Sequence, residues 1–362
     1  MLLQEIDLYG EPYKIGYKHG EILRSKILEF LEDNFARINL IRHVKLSKEE
    51  IFEIVHKHAI IIEEDLPQIA EEIHGLAKGA NISYEEAILL QIRREIIGQS
   101  SSTGGECSLI ASMDCNKKAT IAQTIDLNGE MTNLGQVFRI TSSEKSIPQI
   151  LLYSFAGLLG YVGLNSSGLA IGINFVSANG WRPGVSPYLL VRHLLKLHTL
   201  EECIAELKRV RRSSSRSLTI CDNSNLAIIE MTVDELRIIS GANLSRTNHF
   251  LHEDFKAKDQ MNIFSRNASI LRLQKLNTYM KETNWSTDTE PLFDIFSDHS
   301  LYPVGLCAHS EGKIRREDTV AAVVLKPASG SVAIRKGHPC TSESHYFTLK
   351  HHNLSTRQKG PP

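Results

Sequence analysis

The sequence predicts an α+β fold in which helices cover the faces of β-sheets, and three observations lead there. Apolar residues recur at three- and four-residue steps through the first hundred positions, the period drops to two from Cys107 onward, and helical spacing returns only before the last strands.

Taken in order, EILRSKILEFLEDNFARI gathers Leu23, Ile27, Phe30, Leu31 and Ile38 on one helical face. Ser47 with Glu50, and Ser83 with Glu86, match the capping box and start two further helices. Gly79 in GLAKGANIS reads as the stop of the helix between them, so the first hundred residues are expected to be helical throughout. ATIAQTIDLN, GQVFRITS, PQILLYSF, LLGYVGLN, GLAIGINFV, SLTICDN and NLAIIEMT then read as strands, rich in Ile, Val, Leu and Thr. Asn165 to Gly168, in LNSSGLA, tolerate positive φ between two apolar runs and predict a hairpin turn. Helices return in SPYLLVRHLLKLHTLEECIAELKRV, with a capping box at Thr199 and Glu202, and in FSRNASILRLQKLNTYMK. DTVAAVVLKPASGSVAIRKG predicts a strand, a turn and a strand, and the tail from about 353 to 362 (STRQKGPP) reads as loose.

With 362 residues, 42% of them hydrophobic, the chain can bury a sizeable core. Lys and Arg total 41 against 42 Asp and Glu, so no net field draws it to nucleic acid or an anionic membrane. Neither a basic leader nor an apolar run of about 18 residues is present, and a soluble, cytoplasmic protein with no membrane partner is expected. Six cysteines spread over such a length are too sparse for a disulfide framework and are expected to be reduced.

Cys203, in an amphipathic helix, and Cys221, in a strand, read as core residues. Cys107 differs, because Gly104 and Gly105 in TGGECSLIAS allow backbone conformations that let an attacking group approach. Its plainer reading is a loop cysteine at a strand start. His338, Cys340 and His345, or Cys307 with His309, offer metal-ligand types, yet neither set has the paired spacing of a closed zinc site, and no metal is expected. No glycine run matches a dinucleotide or phosphate loop.

GGEC followed by Ser108 resembles the cleavage site of the acyl-coenzyme A:isopenicillin-N acyltransferase-like family of N-terminal nucleophile hydrolases. GYKHGEIL, EIHGLAKGANISYEEAILLQIRREI, AQTIDLN, GYVGLNSSGLAIGINF, RTNHF, SDHSLYPVGLCAH, TVAAVVLKP and GHPC occur in the family's order. The resemblance implies a four-layer αββα sandwich and a chain that cuts its own Glu106–Cys107 bond. It gives a helical fragment 1–106 and a catalytic fragment 107–362, both parts of one domain, which stay associated.

The freed α-amine of Cys107, with an ordinary pKa of about 7.7–8.0, then serves as base to its own thiol, so no catalytic histidine is needed. By the same resemblance Asn248 stabilises the tetrahedral oxyanion and Asp126 orients the new amino terminus or a substrate amine. The plainer readings are a turn asparagine and a strand-end aspartate. Arg93 corresponds to an arginine of the helical fragment and reads as a structural ion-pair partner, while Gln91 stands where the family usually has asparagine. The implied function is a cysteine acyltransferase or amidohydrolase that passes an acyl group from an amide, acyl-coenzyme A or carrier-protein thioester through Cys107 to an amine or water, without a cofactor. An unprocessed, inactive binding protein on the same fold is the alternative.

Overall fold

In the computed structural model, residues 3–98, 107–128, 131–282, 285–313 and 316–350 are described. The Glu106 side of the expected cleavage bond and the tail from 353 lie outside them. Ten α-helices are described: α1 Pro12–Glu32, α2 Ile38–Ile41, α3 Lys48–Asp65, α4 Pro67–Ala80, α5 Tyr84–Gly98, α6 Pro187–Leu194, α7 Leu200–Arg209, α8 Glu253–Lys256, α9 Ile263–Tyr279 and α10 Thr289–Phe296. The strands are β1 Glu5–Gly10, β2 Leu109–Met113, β3 Ala119–Asn128, β4 Gly135–Ser142, β5 Ile150–Phe155, β6 Val162–Asn165 and β7 Ala170–Phe175 in the first half. They continue with β8 Arg216–Cys221, β9 Leu226–Met231, β10 Leu236–Ser240, β11 Asn243–Arg246, β12 Glu317–Lys326, β13 Ser331–Lys336 and β14 Ser344–Thr348.

The strands form an eight-stranded sheet, β1-β4-β5-β6-β7-β8-β9-β10, and a six-stranded sheet, β11-β2-β3-β12-β13-β14. Both are antiparallel except for the β1–β4 pair, which is parallel. Period two explains how the six-stranded sheet serves two cores. Leu109, Ile121, Val323 and Ile334 belong to the large core between the sheets, whereas their neighbours Ile110, Ala122, Val324 and Ala333 pack with Leu276, Leu292, Phe293 and Phe296 of α9 and α10. On the far side, Ile27 of α1 and Leu90 of α5 lie against Gly157, and the His19 ring meets Phe138 of β4 at 4.6 Å. Helix, sheet, sheet and helix are therefore stacked as the αββα expectation requires.

All three capping boxes form, with Ser47, Ser83 and Thr199 each accepting from the backbone three residues on. Three local expectations are corrected. The first hundred residues are not all helix: EIDLYG is a strand whose Ile6 and Leu8 are buried. The first helix does not reach Ile38, because Asn34, Phe35, Ala36 and Arg37 all take left-handed φ between 46° and 59°.

Gly79 does not end its helix. Asn81 does, at φ 59°. Gly79 is a contact position: a Cβ there would stand 2.0 Å from the Tyr17 carbonyl oxygen, and one on Gly16 would stand 1.8 Å from that of Glu72. Glycines 16 and 20 of α1 face glycines 75 and 79 of α4, so the two backbones touch directly. After Pro187 the helical segment runs as two helices, the second starting at the expected Thr199 box.

Candidate active site

Cys107 immediately precedes β2, where the antiparallel pairing with β3 has begun. The Ser108 N–H donates to Thr124 Oγ1 at 3.1 Å, and the Thr124 N–H to the Ser108 carbonyl at 2.9 Å. Carried back two residues, this register sets Cys107 opposite Ile125 and next to the Asp126 backbone, with 3% of the cysteine exposed. Its carbonyl oxygen accepts from Asn174 Nδ2 of β7, in the opposite sheet, and from Arg272 Nη1 of α9, each at 3.1 Å. A residue held by both sheets and a helix cannot drift from its place.

Burial pushes the Cys107 thiol up to about 12, and the nearby charge of Asp126 adds to the rise. The Asp126 backbone N–H, pointing at the sulfur, and the cations of Arg272 and Arg216 act the other way. Such a thiol is protonated at neutral pH.

Asp126 is fully buried. One of its carboxylate oxygens accepts from Thr319 Oγ1 at 2.7 Å and the other from Thr124 Oγ1 at 3.3 Å. Thr319 lies opposite Asp126 in the ladder, and the register of β12 shifts just beyond it. Such a shift re-aims side chains.

Asn248 follows β11 and is also fully buried. Its Oδ1 accepts from Arg272 Nη2 at 2.9 Å and its Nδ2 donates to the Phe175 carbonyl at 3.1 Å. Arg272 further donates to Ser108 Oγ at 2.9 Å. One guanidinium therefore bridges Cys107, Ser108 and Asn248, joining two of the residues singled out in the sequence.

Arg272, Asn174 and Thr319 escaped the sequence reading, though the first two left a trace. Arg272 falls on the buried stripe of α9 with Ala268, Ser269 and Leu276, where a cation is out of place without a partner. Asn174 is an amide within AIGINF, a strand otherwise apolar and wholly buried.

Arg93 donates from Nε to the Ala36 carbonyl at 2.6 Å, so it clamps the left-handed turn after α1 rather than pairing with a carboxylate. Gln91 joins α5 to the β5–β6 connection, donating to the Gly157 carbonyl at 2.7 Å and accepting from the Leu159 N–H at 3.1 Å. A mostly apolar cavity of about 40 Å³ is lined by Phe30, Leu127, Phe155, Leu158, Tyr161 and Tyr188 with Arg93 and Arg94. Tyr161 is close enough for the Cys107 charge to act on its hydroxyl. Among the described residues no helix is long and apolar enough to cross a membrane.

The chain is similar to several known proteins. A curated relative, the 40 kDa form of acyl-coenzyme A:6-aminopenicillanic-acid-acyltransferase from Emericella nidulans, is 23% identical over 358 residues, spanning 96% of each chain. Among solved structures, penicillin V acylase from Agrobacterium tumefaciens is similar at 14% identity and a TM-score of 0.47, covering 67% of this chain and 86% of that one. A variant of conjugated bile acid hydrolase from Clostridium perfringens is similar at 12% identity and a TM-score of 0.43, covering 67% and 97%. The sequence model of the acyl-coenzyme A:6-aminopenicillanic acid acyl-transferase family matches residues 114–340, well over half of the chain, and the protein belongs to that family.

Proposed function

We propose that the chain is a self-processing cysteine acyltransferase or amidohydrolase of the N-terminal nucleophile type, with Cys107 as nucleophile. The observation that carries this reading is the setting of Cys107. A buried thiol stands where the helical fragment gives way to β2, with its carbonyl held by Asn174 and Arg272 and its sulfur facing the Asp126 N–H.

In the uncut chain Cys107 Sγ attacks the Glu106 carbonyl carbon. A C–S bond forms, the C–N bond breaks, and the departing nitrogen takes the proton the thiol gives up. Water then hydrolyses the thioester, leaving a Glu106 carboxylate, a free thiol and a new α-amine. That amine changes the site, because an ammonium beside the sulfur favours the thiolate that burial alone suppresses.

In turnover the α-amine accepts the thiol proton as sulfur attacks the acyl carbon of an amide or thioester. An asparagine Nδ2 carries two N–H groups, and Asn248 uses one on Phe175, leaving the other for the oxyanion. Asp126, steadied by Thr319 and Thr124, orients the new amino terminus. The leaving amine or thiol takes the proton back, and an amine or water resolves the Cys107 thioester. The apolar cavity beside Tyr161 is the place for the acyl group, and an acyl-coenzyme A, carrier-protein thioester or amide is the donor class. The two fragments stay associated, and the compartment is cytoplasmic.

Denaturing mass analysis of the purified protein tests the reading. A fragment starting at Cys107 is expected, absent in Cys107→Ala and slow to form in Cys107→Ser, whose hydroxyl is the poorer nucleophile. A wild-type chain that stays intact and turns nothing over would overturn it and favour a binding protein, and an activity that survives thiol blockade would overturn Cys107 as the nucleophile.

A further inference from the structure

Apart from the residues proposed to act in acyl transfer, three loops bring His299, Cys307, His309 and Cys340 together, so that one ligand atom from each lies within 4.8 Å of all the others. His299 follows α10, Cys307 and His309 lie on the approach to β12, and Cys340 follows β13. The cysteine sulfurs are 3.7 Å apart, and His309 Nε2 is 3.5 Å from Cys307 Sγ and 3.7 Å from Cys340 Sγ. His299 Nε2 and His309 Nε2 are 3.0 Å apart.

Bond lengths give a standard for comparison. With zinc–sulfur bonds of about 2.3 Å and zinc–nitrogen bonds of about 2.05 Å, a tetrahedron has ligand edges of about 3.8 Å for S–S, about 3.5 Å for S–N and about 3.3 Å for N–N. The four measured edges match within about 0.3 Å. A disulfide fits worse, since it needs the sulfurs at about 2.05 Å. Two ring nitrogens at 3.0 Å must share either a proton or an ion, and His309 Nε2 is also within 3.7 Å of both sulfurs.

We propose that His299, Cys307, His309 and Cys340 bind one Zn²⁺ in a closed, structural site. Two thiolates and two neutral imidazoles balance the ion's charge, and binding releases two thiol protons to solvent. Four protein ligands leave no position for a reacting water, so the ion is a clamp and not a catalyst. The clamp bears on the active site through one residue. Ala308, between two ligands, donates its N–H to Thr319 Oγ1 at 2.8 Å and accepts from the Thr319 N–H at 3.0 Å. Thr319 Oγ1 in turn donates to Asp126. A pocket of about 250 Å³, lined in part by Tyr302, Glu311 and Arg316, opens onto the ligands and gives the ion a way in.

The full chain, purified under reducing conditions and equilibrated with zinc, is expected to hold about one zinc per chain by elemental analysis. Stripping with a chelator should expose two further thiols to a thiol reagent, and cobalt should restore protection with the visible bands of a tetrahedral thiolate complex. Cys307→Ser combined with Cys340→Ser should lower zinc content at least about tenfold. Cys107→Ala should leave it unchanged, which separates this site from the acyl-transfer reading. Wild-type protein with less than about a tenth of a zinc per chain, or equal zinc in the double variant, overturns the proposal. So does a Cys307–Cys340 disulfide whose reduction yields no zinc uptake. Should the double variant unfold, the cobalt spectrum of the wild type decides alone, tetrahedral bands supporting the site and their absence refuting it.

Discussion

Replacing Arg272 by methionine tests whether one guanidinium organises the nucleophile. The change keeps an apolar stem of similar length and deletes donors to the Cys107 carbonyl, Ser108 Oγ and Asn248 Oδ1. The carbonyl keeps Asn174, and the serine hydroxyl is free to turn, so Asn248 Oδ1 is the acceptor left stranded. A stranded buried acceptor costs about 1–3 kcal/mol, and a lost hydrogen bond to a charged group about 1.5–3 kcal/mol. Methionine recovers part of this because no cation need be desolvated, which leaves a net loss of about 2–4 kcal/mol. At about 2–4 °C per kcal/mol for a large domain, the melting temperature should fall by roughly 4–16 °C. The cut ahead of Cys107 should slow at least about tenfold, the equivalent of about 1.4 kcal/mol of misplaced attack geometry. Thermal melting paired with timed denaturing mass analysis reads both effects. Arg272→Lys should fall between the two, since one ammonium nitrogen cannot span the acceptors that Nη1 and Nη2 reach together. A methionine variant that melts and cuts like the wild type refutes the reasoning.

Two further predictions concern stability. Gly16→Ala drives a methyl into the Glu72 carbonyl, a backbone atom that cannot swing aside, and should destabilise the fold by about 3 kcal/mol. A chemical denaturation midpoint equal to the wild type would show that α1 and α4 are further apart than described. His19 is buried and pulled down to about 3 by desolvation, with Nε2 accepting the Gly157 N–H at 3.0 Å. Its folded value lies below the unfolded value of about 6.5, so on acidification the unfolded chain binds the proton first. This contribution is full above about pH 6.5 and is lost by up to about 1.4 kcal/mol per pH unit between pH 6.5 and 3, a window His249 shares with a value near 4. His19→Gln keeps an acceptor, and its stability should fall less steeply from pH 6.5 to 5. Equal slopes would count against a neutral buried His19.

How legible the molecule was in its sequence depended on whether the signal was local. Capping boxes at Ser47, Ser83 and Thr199 form because side chain and partner lie three residues apart. The strands from Ala119 to Met231 were legible because their β-branched runs are long and bounded by turns. β1 was hidden because six residues with two buried side chains carry little periodicity, and its partner is β4, beyond the whole helical segment. Gly79 reads as a stop in one dimension and is a contact in three, since its reason for lacking a side chain sits on another helix. At the site, Cys107, Asp126 and Asn248 were named from motifs, and the register of β2 with β3 explains the first two. Arg272 was not, because nothing near it in sequence says that Asn248 is its partner. The four zinc-ligand candidates are spread over 42 positions, and only the fold supplies their proximity.

The parallel β1–β4 seam has a consequence for how such a protein is kept whole. Six residues from the chain's beginning run register for register beside Val137 to Ser142, as a docked peptide does at a sheet margin. A nick ahead of Cys107 would leave that row of main-chain hydrogen bonds untouched. Under the proposed cut, covalent continuity would be a scaffold for reaching the native arrangement, dispensable once the margin has been filled.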